Sequence, residues 1–189
     1  MKVTKAQVRE NRERIVETAS VLFRERGYDG VGVAELMATA GFTHGGFYKH
    51  FGSKADLMAE AAACSFAKSA EQTSQVDISD FVQQYLSREH RDAPGNGCTM
   101  AALCADAGRQ PPLIKQTFAV GIENQLATLA SKDTDLNETE QREARARRIE
   151  AFAQVVGAIV LSRACPDDST LADEILEVCR TKILGQQGS

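Results

Sequence analysis

The sequence predicts an all-helical chain, on three grounds. The first proline is Pro94, and a proline-free run of that length, rich in Ala, Glu, Arg and Leu, favours helices. Apolar residues recur three and four positions apart over segments long enough to be helices. Apolar–polar alternation and hairpin signals do not recur. The one Asn-Gly pair, Asn96-Gly97, lies in the Pro-Gly-rich stretch 92–97 and reads as a loop between helices. The chain has 189 residues, 43% hydrophobic and 25% charged, enough to bury a real core and ordinary for a folded, soluble protein.

Thr4 followed by Gln7 fits a capping box that opens a helix running to Gly27, with Ile15, Ala19, Leu22 and Phe23 as its buried stripe. Val33, Leu36, Met37 and Ala40 mark a short second helix stopped by Gly41. Thr43 can cap a third over 43–51, whose inner pair is Phe47 and Phe51 and whose other face carries His44, Tyr48, Lys49 and His50. Two short helices joined by a tight turn, the second apolar inside and polar outside, form the layout of a helix-turn-helix. Within that helix Gly45 and Gly46 each cost roughly 1 kcal/mol relative to alanine. Such a repeated penalty fits close approach of the backbone to a ligand such as a DNA strand, or tight packing between helices.

Gly52 breaks the chain, and Ser53 with Asp56 opens a connector helix through Leu57, Ala61 and Cys64 toward residue 74. Residues 77–88 read as a further helix with Phe81, Val82 and Tyr85 inward, and 98–109 as another containing Met100, Leu103 and Cys104. Pro111-Pro112 suits a first turn, and Leu113, Phe118, Ile122, Leu126 and Leu129 follow in register. Residues 131–137 read as a polar loop. Asn137 with Glu140 then caps a long helix ending before Pro166, charged in its first half and apolar nearly all round over 152–161. Asp168 or Ser169 starts the last helix, with Leu171, Ile175, Val178, Cys179 and Ile183 in register. A helix apolar on every side must be covered on every side, by the intrachain core or by a second copy in a four-helix interface through 138–164 and 169–184.

The net charge of −4 is unevenly spread. Residues 1–26 hold seven basic and four acidic groups, a net of +3, while residues 61–189 hold 13 basic and 18 acidic groups, a net of −5. Positive charge at the amino end suits phosphate contacts, although a solvated helix face gives the same bias. No secretory signal is visible, and the longest apolar stretch, 155–161, is too short for a bilayer, so no membrane partner is expected. Five cysteines without such a signal suggest reduced thiols in a cytoplasm.

The block from Gly27 through Leu57 has Gly27-Tyr28, Ala40-Gly41, Gly45 followed by Tyr48-Lys49-His50-Phe51, and Ser53-Lys54. It resembles the amino-terminal domain of TetR-family transcriptional regulators, over about a third of the chain. The resemblance implies a homodimer with a DNA-binding head at 1–52 and a helical effector-binding and dimerisation domain at 53–189. It implies a ligand-responsive repressor, released from a pseudo-palindromic operator of double-stranded DNA by a small-molecule effector. By position, Thr43 would face the DNA backbone and His44, Gly45 and Gly46 would approach base edges. Tyr48, His50 and Lys54 would contact phosphates, and Lys49 a base or a phosphate. The sequence departs from the family at Val31-Gly32, where a Thr or Ser pair usually opens the first helix of the motif.

Tyr85, Met100, Phe118, Ile122 and Phe152 are candidates to line an effector pocket or to fill a core. Cys98, at a predicted helix start that favours thiolate, is the candidate redox or electrophile sensor, or else a packing residue. Cys98 and Cys104 lie roughly 120° apart around a helix, so neither a metal site nor a cofactor is expected. Two other classes compete. A cysteine-dependent enzyme would need His90 as the base of Cys98, since His44 and His50 belong to the motif, and lacks a hydrolase signature. A helical protein-interaction module would use the basic head for an acidic partner.

Overall fold

The computed structural model describes residues 4–74, 76–130 and 136–185. Among them are nine α-helices: α1 (Lys5–Arg26), α2 (Val33–Thr39), α3 (Lys54–Ser74), α4 (Ile78–Tyr85), α5 (Arg88–Asp92), α6 (Thr99–Ala107), α7 (Pro112–Leu129), α8 (Glu138–Arg163) and α9 (Thr170–Gly185). Two 3-10 segments, His44–Lys49 and Pro94–Asn96, complete the order, and no strand occurs among the described residues. The local signals operate largely as read. The Thr4 hydroxyl accepts from the Gln7 amide at 3.2 Å, the Ser53 hydroxyl from the Asp56 amide at 3.1 Å, and Asn137 with Glu140 forms a reciprocal capping box. Pro112 sits in the first turn of α7. Gly41 ends α2 at φ 82°, a left-handed geometry that residues with a Cβ resist.

Three expectations change. The Gln7 side chain bonds Glu10 and Asn11, beyond the turn it was expected to close. The second element of the helix-turn-helix is 3-10: the Gly46 amide bonds the Thr43 carbonyl at 2.9 Å, and the Thr43 hydroxyl makes no cap. Consecutive glycines weaken propagation of an α-helix there. The helix expected over 77–88 stops at Tyr85. Ser87 then accepts from the His90 amide at 3.2 Å and starts α5 between that helix and the loop expected from residue 92, where no element was expected. Of the loop expected over 131–137, residues 131–135 lie outside the described residues.

Two apolar clusters hold the chain. The first joins α1, α2 and the 3-10 segment (Ile15, Phe23, Leu36, Met37, Phe47, Phe51) to Leu57 and Met58 of α3, Leu103 of α6 and Phe118 of α7. The head therefore shares one core with the helices that follow it. The second gathers Val82, Tyr85 and Leu86 with Val155 and Ile159 of α8 and Leu176 and Ile183 of α9. Cys98 packs against both. Polar ties reinforce the first junction. Arg24 Nε donates to the Gly95 carbonyl at 2.9 Å, and Asp106 accepts from the Tyr28 amide at 3.0 Å. Gly27 lies there with φ 74°, where a Cβ would strike the Asp106 carboxylate.

The coverage of α8 and α9 is incomplete within the chain. Leu161 remains 59% exposed and Val178 58%, and Ile149, Val160 and Leu171 are also exposed. No described helix is long and apolar enough to cross a membrane.

Candidate nucleic-acid interface

The 3-10 segment is seated by two aromatic rings. Phe47 and Phe51 are 1% and 3% exposed, with ring centroids 5.5 Å apart, and each contributes about 2 kcal/mol by leaving water. Seating those rings turns the intervening residues outward. Tyr48 is 69% exposed, and Thr43, His44, Gly45 and Lys49 are exposed as well. The Tyr48 ring stands edge-on to Phe47 at 5.2 Å and beside His44 at 6.4 Å, two contacts that constrain its direction.

Neither central glycine is required by the chain itself. Neither has a positive φ. A Cβ at Gly45 would meet nothing within 4 Å, and one at Gly46 would make ordinary contacts with Met37 and Thr43. Packing between helices, the competing account, finds no neighbour at Gly45. Gly45 is itself exposed, as are His44 and Lys49.

His50 and Lys54 are more constrained than their positions suggested. His50 is half-buried between Phe42 and Phe51, its Nδ1 is enclosed without a partner, and its carbonyl accepts from Arg12. Burial, then the Arg12 and Lys49 cations, lowers its pKa, so the ring is neutral at pH 7. The Lys54 ammonium donates to the Tyr28 carbonyl at 2.5 Å, a tie between α3 and the turn after α1. Arg12 is the residue the sequence did not single out. It bonds Glu60 and the His50 carbonyl and lies 4.3 Å from the Phe51 ring centre, clamping the end of the 3-10 segment between α1 and α3. Its only local signal was membership of a basic stretch. Val31 is fully buried and Gly32 caps α2 without a side-chain bond.

The five candidate pocket residues occupy the interior. Met100 and Phe118 belong to the first cluster, with Ile122 and Phe152 against it, and Tyr85 belongs to the second. All five cysteines are free. Cys98 caps α6 with its backbone, whose amide donates to His90 Nε2 at 3.0 Å, while His90 Nδ1 donates to the Tyr85 carbonyl at 2.7 Å. Both ring nitrogens of His90 are thus committed to backbone, leaving neither to deprotonate the thiol. No cluster of three or more metal-ligating side chains occurs among the described residues.

Residues 15–61, the span just described, match the bacterial regulatory proteins of the tetR family. An uncharacterized helix-turn-helix transcriptional regulator of Mycobacterium tuberculosis is 29% identical in an alignment 125 residues long that covers 58% of this chain and 62% of that relative. The match thus spans less than two thirds of the relative's length. The regulator AcrR of Shigella flexneri is 37% identical over 57 residues, 30% of this chain and 26% of AcrR. Among solved structures, reduced Escherichia coli NemR superposes with a TM-score of 0.74 at 20% identity, covering 92% of this chain and 95% of NemR, a likeness of fold.

Proposed function

We propose that this chain, whose amino-terminal domain belongs to the tetR family of bacterial regulatory proteins, is a cytoplasmic, ligand-responsive transcriptional repressor. It binds a pseudo-palindromic operator as a homodimer through a head at 1–52, and residues 53–189 bind the effector and dimerise. The observation that carries this reading is the outward edge of the 3-10 segment. Thr43, His44, Tyr48 and Lys49 stand exposed around Gly45, whose missing side chain is explained by no contact among the described residues. In a major groove, Gly45 and Gly46 let the backbone approach base edges, with His44 beside them. Thr43, Tyr48 and Lys49 fix register on phosphates. His50 serves as a neutral donor through Nε2, and Lys54 orients the turn while keeping two N–H groups for phosphate.

Dimerisation is supported by the uncovered apolar residues of α8 and α9, and effector control by the core that head and body share. An effector favouring a head spacing that no longer fits the operator releases DNA. The test is a gel-shift titration against the DNA upstream of the chain's own gene, with salt varied and competitor present. The expected result is a complex that survives competitor and weakens steeply with salt. A protein with no preference for any duplex over random DNA overturns the reading.

A second reading, a thiol-sensing regulator, is favoured by the surroundings of Cys98. Its thiol lies near the half-buried guanidinium groups of Arg24 and Arg163 and near the Tyr85 hydroxyl, which is buried without a hydrogen-bond partner among the described residues. A hydroperoxide attacked by the Cys98 thiolate would lose its O–O bond, giving the sulfenic acid and an alkoxide or hydroxide. Release of DNA by peroxide in wild type, lost in Cys98→Ser, supports this. An unchanged response in that variant excludes it.

A further inference from the structure

A groove of about 380 Å³ opens between α3 and α7. None of the five candidate pocket residues lines it. Its cause is a run of small residues. Ala63, Ala67 and Ala70 present one face of α3 to α7 and leave a trough about 10 Å long. Leu113 and Val120, 45% and 54% exposed, form the opposite wall. The floor is the Phe66 ring, which packs edge-on against Phe118 at 5.1 Å. It can lie there because α7 carries glycine at 121, where a Cβ would collide with the ring.

We propose that this groove binds an elongated, uncharged, apolar small molecule with one hydrogen-bonding end. Its volume lies within the range of small-molecule sites. No charged side chain among the described residues lines it, so a charged ligand would lose hydration without a counter-charge. The exposed amides of Gln116 and Asn124 can donate to and accept from the ligand's end, whereas the Thr117 hydroxyl, which donates to the Leu113 carbonyl at 2.9 Å, can only accept. A second copy is a poorer occupant. Ten residues line the groove, against about 20–30 on each side of a stable protein interface.

Occupancy would reach the head through a single helix. Ala63, Ala67 and Ala70 wall the groove, and one to two turns earlier Leu57, Met58 and Ala61 of α3 are buried with Phe47 and Phe51 in the head's core. Wedging α3 from α7 shifts the helix on which the 3-10 segment rests. This consequence rests on the repressor reading; the binding does not.

The probe is N-phenyl-1-naphthylamine fluorescence on the full chain, with 1-decanol, decanoate and decylammonium as competitors. Saturable binding displaced best by decanol is expected. Ala67→Phe and Val120→Trp fill the trough from opposite walls at exposed positions, and each is expected to weaken binding at least tenfold with helicity retained. Absence of saturable binding, insensitivity to both substitutions, or tighter displacement by a charged competitor overturns the proposal. So does probe binding that falls as protein concentration rises, which would mean that a second copy fills the groove. Operator affinity is measured separately with and without saturating decanol. A tenfold loss supports the coupling and no change overturns it. Probe binding without any operator binding leaves the site standing and fails the repressor reading.

Discussion

At the scale of single residues, folding and function make opposite demands on Gly45. A Cβ there meets empty space and replaces a poor helix former, so Gly45→Ala is expected to leave Tm unchanged or raised by a few degrees. In the proposed complex the same methyl group stands where the backbone approaches DNA, so operator Kd is expected to rise at least tenfold. Thermal melting and gel shifts on one preparation check both halves. Lys49 carries a different duty. It is exposed and forms no ion pair among the described residues, so Lys49→Ala is expected to weaken binding to specific and non-specific DNA alike and to reduce the salt slope by about one. A loss confined to one base position would instead make Lys49 a base reader. Tyr48→Phe isolates the hydroxyl, since the ring contacts with Phe47 and His44 survive it.

Between elements, buried polar groups around α5 hold the second half of the molecule together. The Arg91 guanidinium is 3% exposed and donates to the Ser162, Cys165 and Pro166 carbonyls at 3.1–3.3 Å, closing the carboxy-terminal end of α8. Arg91→Ala leaves those carbonyls without that donor and is expected to cost about 3 kcal/mol in urea denaturation. His90 links the end of α4 to the start of α6. Burial lowers its pKa, the Tyr85 hydrogen bond opposes that, and the Arg163 cation adds to it. A folded pKa below the unfolded value of about 6.5 means that the unfolded chain takes up the proton first. The stability of the neutral ring is therefore complete above about pH 6.5 and is lost as pH falls through the folded pKa. Urea titrations from pH 7.5 to 5 are expected to show this decline, shallower in His90→Gln; His50, also lowered, keeps the remaining slope. These ties explain what the sequence could show. Thr4, Pro112 and the Asn137–Glu140 box act within one turn, so α1, α7 and α8 were legible. Short α5 depends on Arg91 reaching carbonyls 71 to 75 residues away, which no local pattern encodes. The outward face of 43–50 was legible from the spacing of Phe47 and Phe51. The Arg12 clamp and the Lys54 tie were not, because their partners lie 48 and 26 residues away.

For the whole molecule, the proposed dimeric repressor makes the distance between two heads the decisive quantity. An operator read in successive major grooves needs them about 34–36 Å apart, which a lone chain cannot set. The apolar second half of α8 and the outer face of α9 offer the means. Leu161 and Val178 are more than half exposed, with Val160 and Leu171 nearby in sequence, on two helices whose inner faces already pack on each other. A second copy docking the same pair would cover all four in a four-helix interface. Because these side chains face away from the intrachain core, Leu161→Asp with Val178→Asp is expected to leave each chain folded by circular dichroism. In sedimentation it is expected to convert a dimer to a monomer, since an unpaired carboxylate in a dry interface costs several kcal/mol. Operator affinity should then fall by orders of magnitude, while affinity for a single half-site, set by one head alone, stays as it was. A doubly substituted protein that remains dimeric would place the interface elsewhere. One that became monomeric yet held the full operator undiminished would show that the two heads act independently.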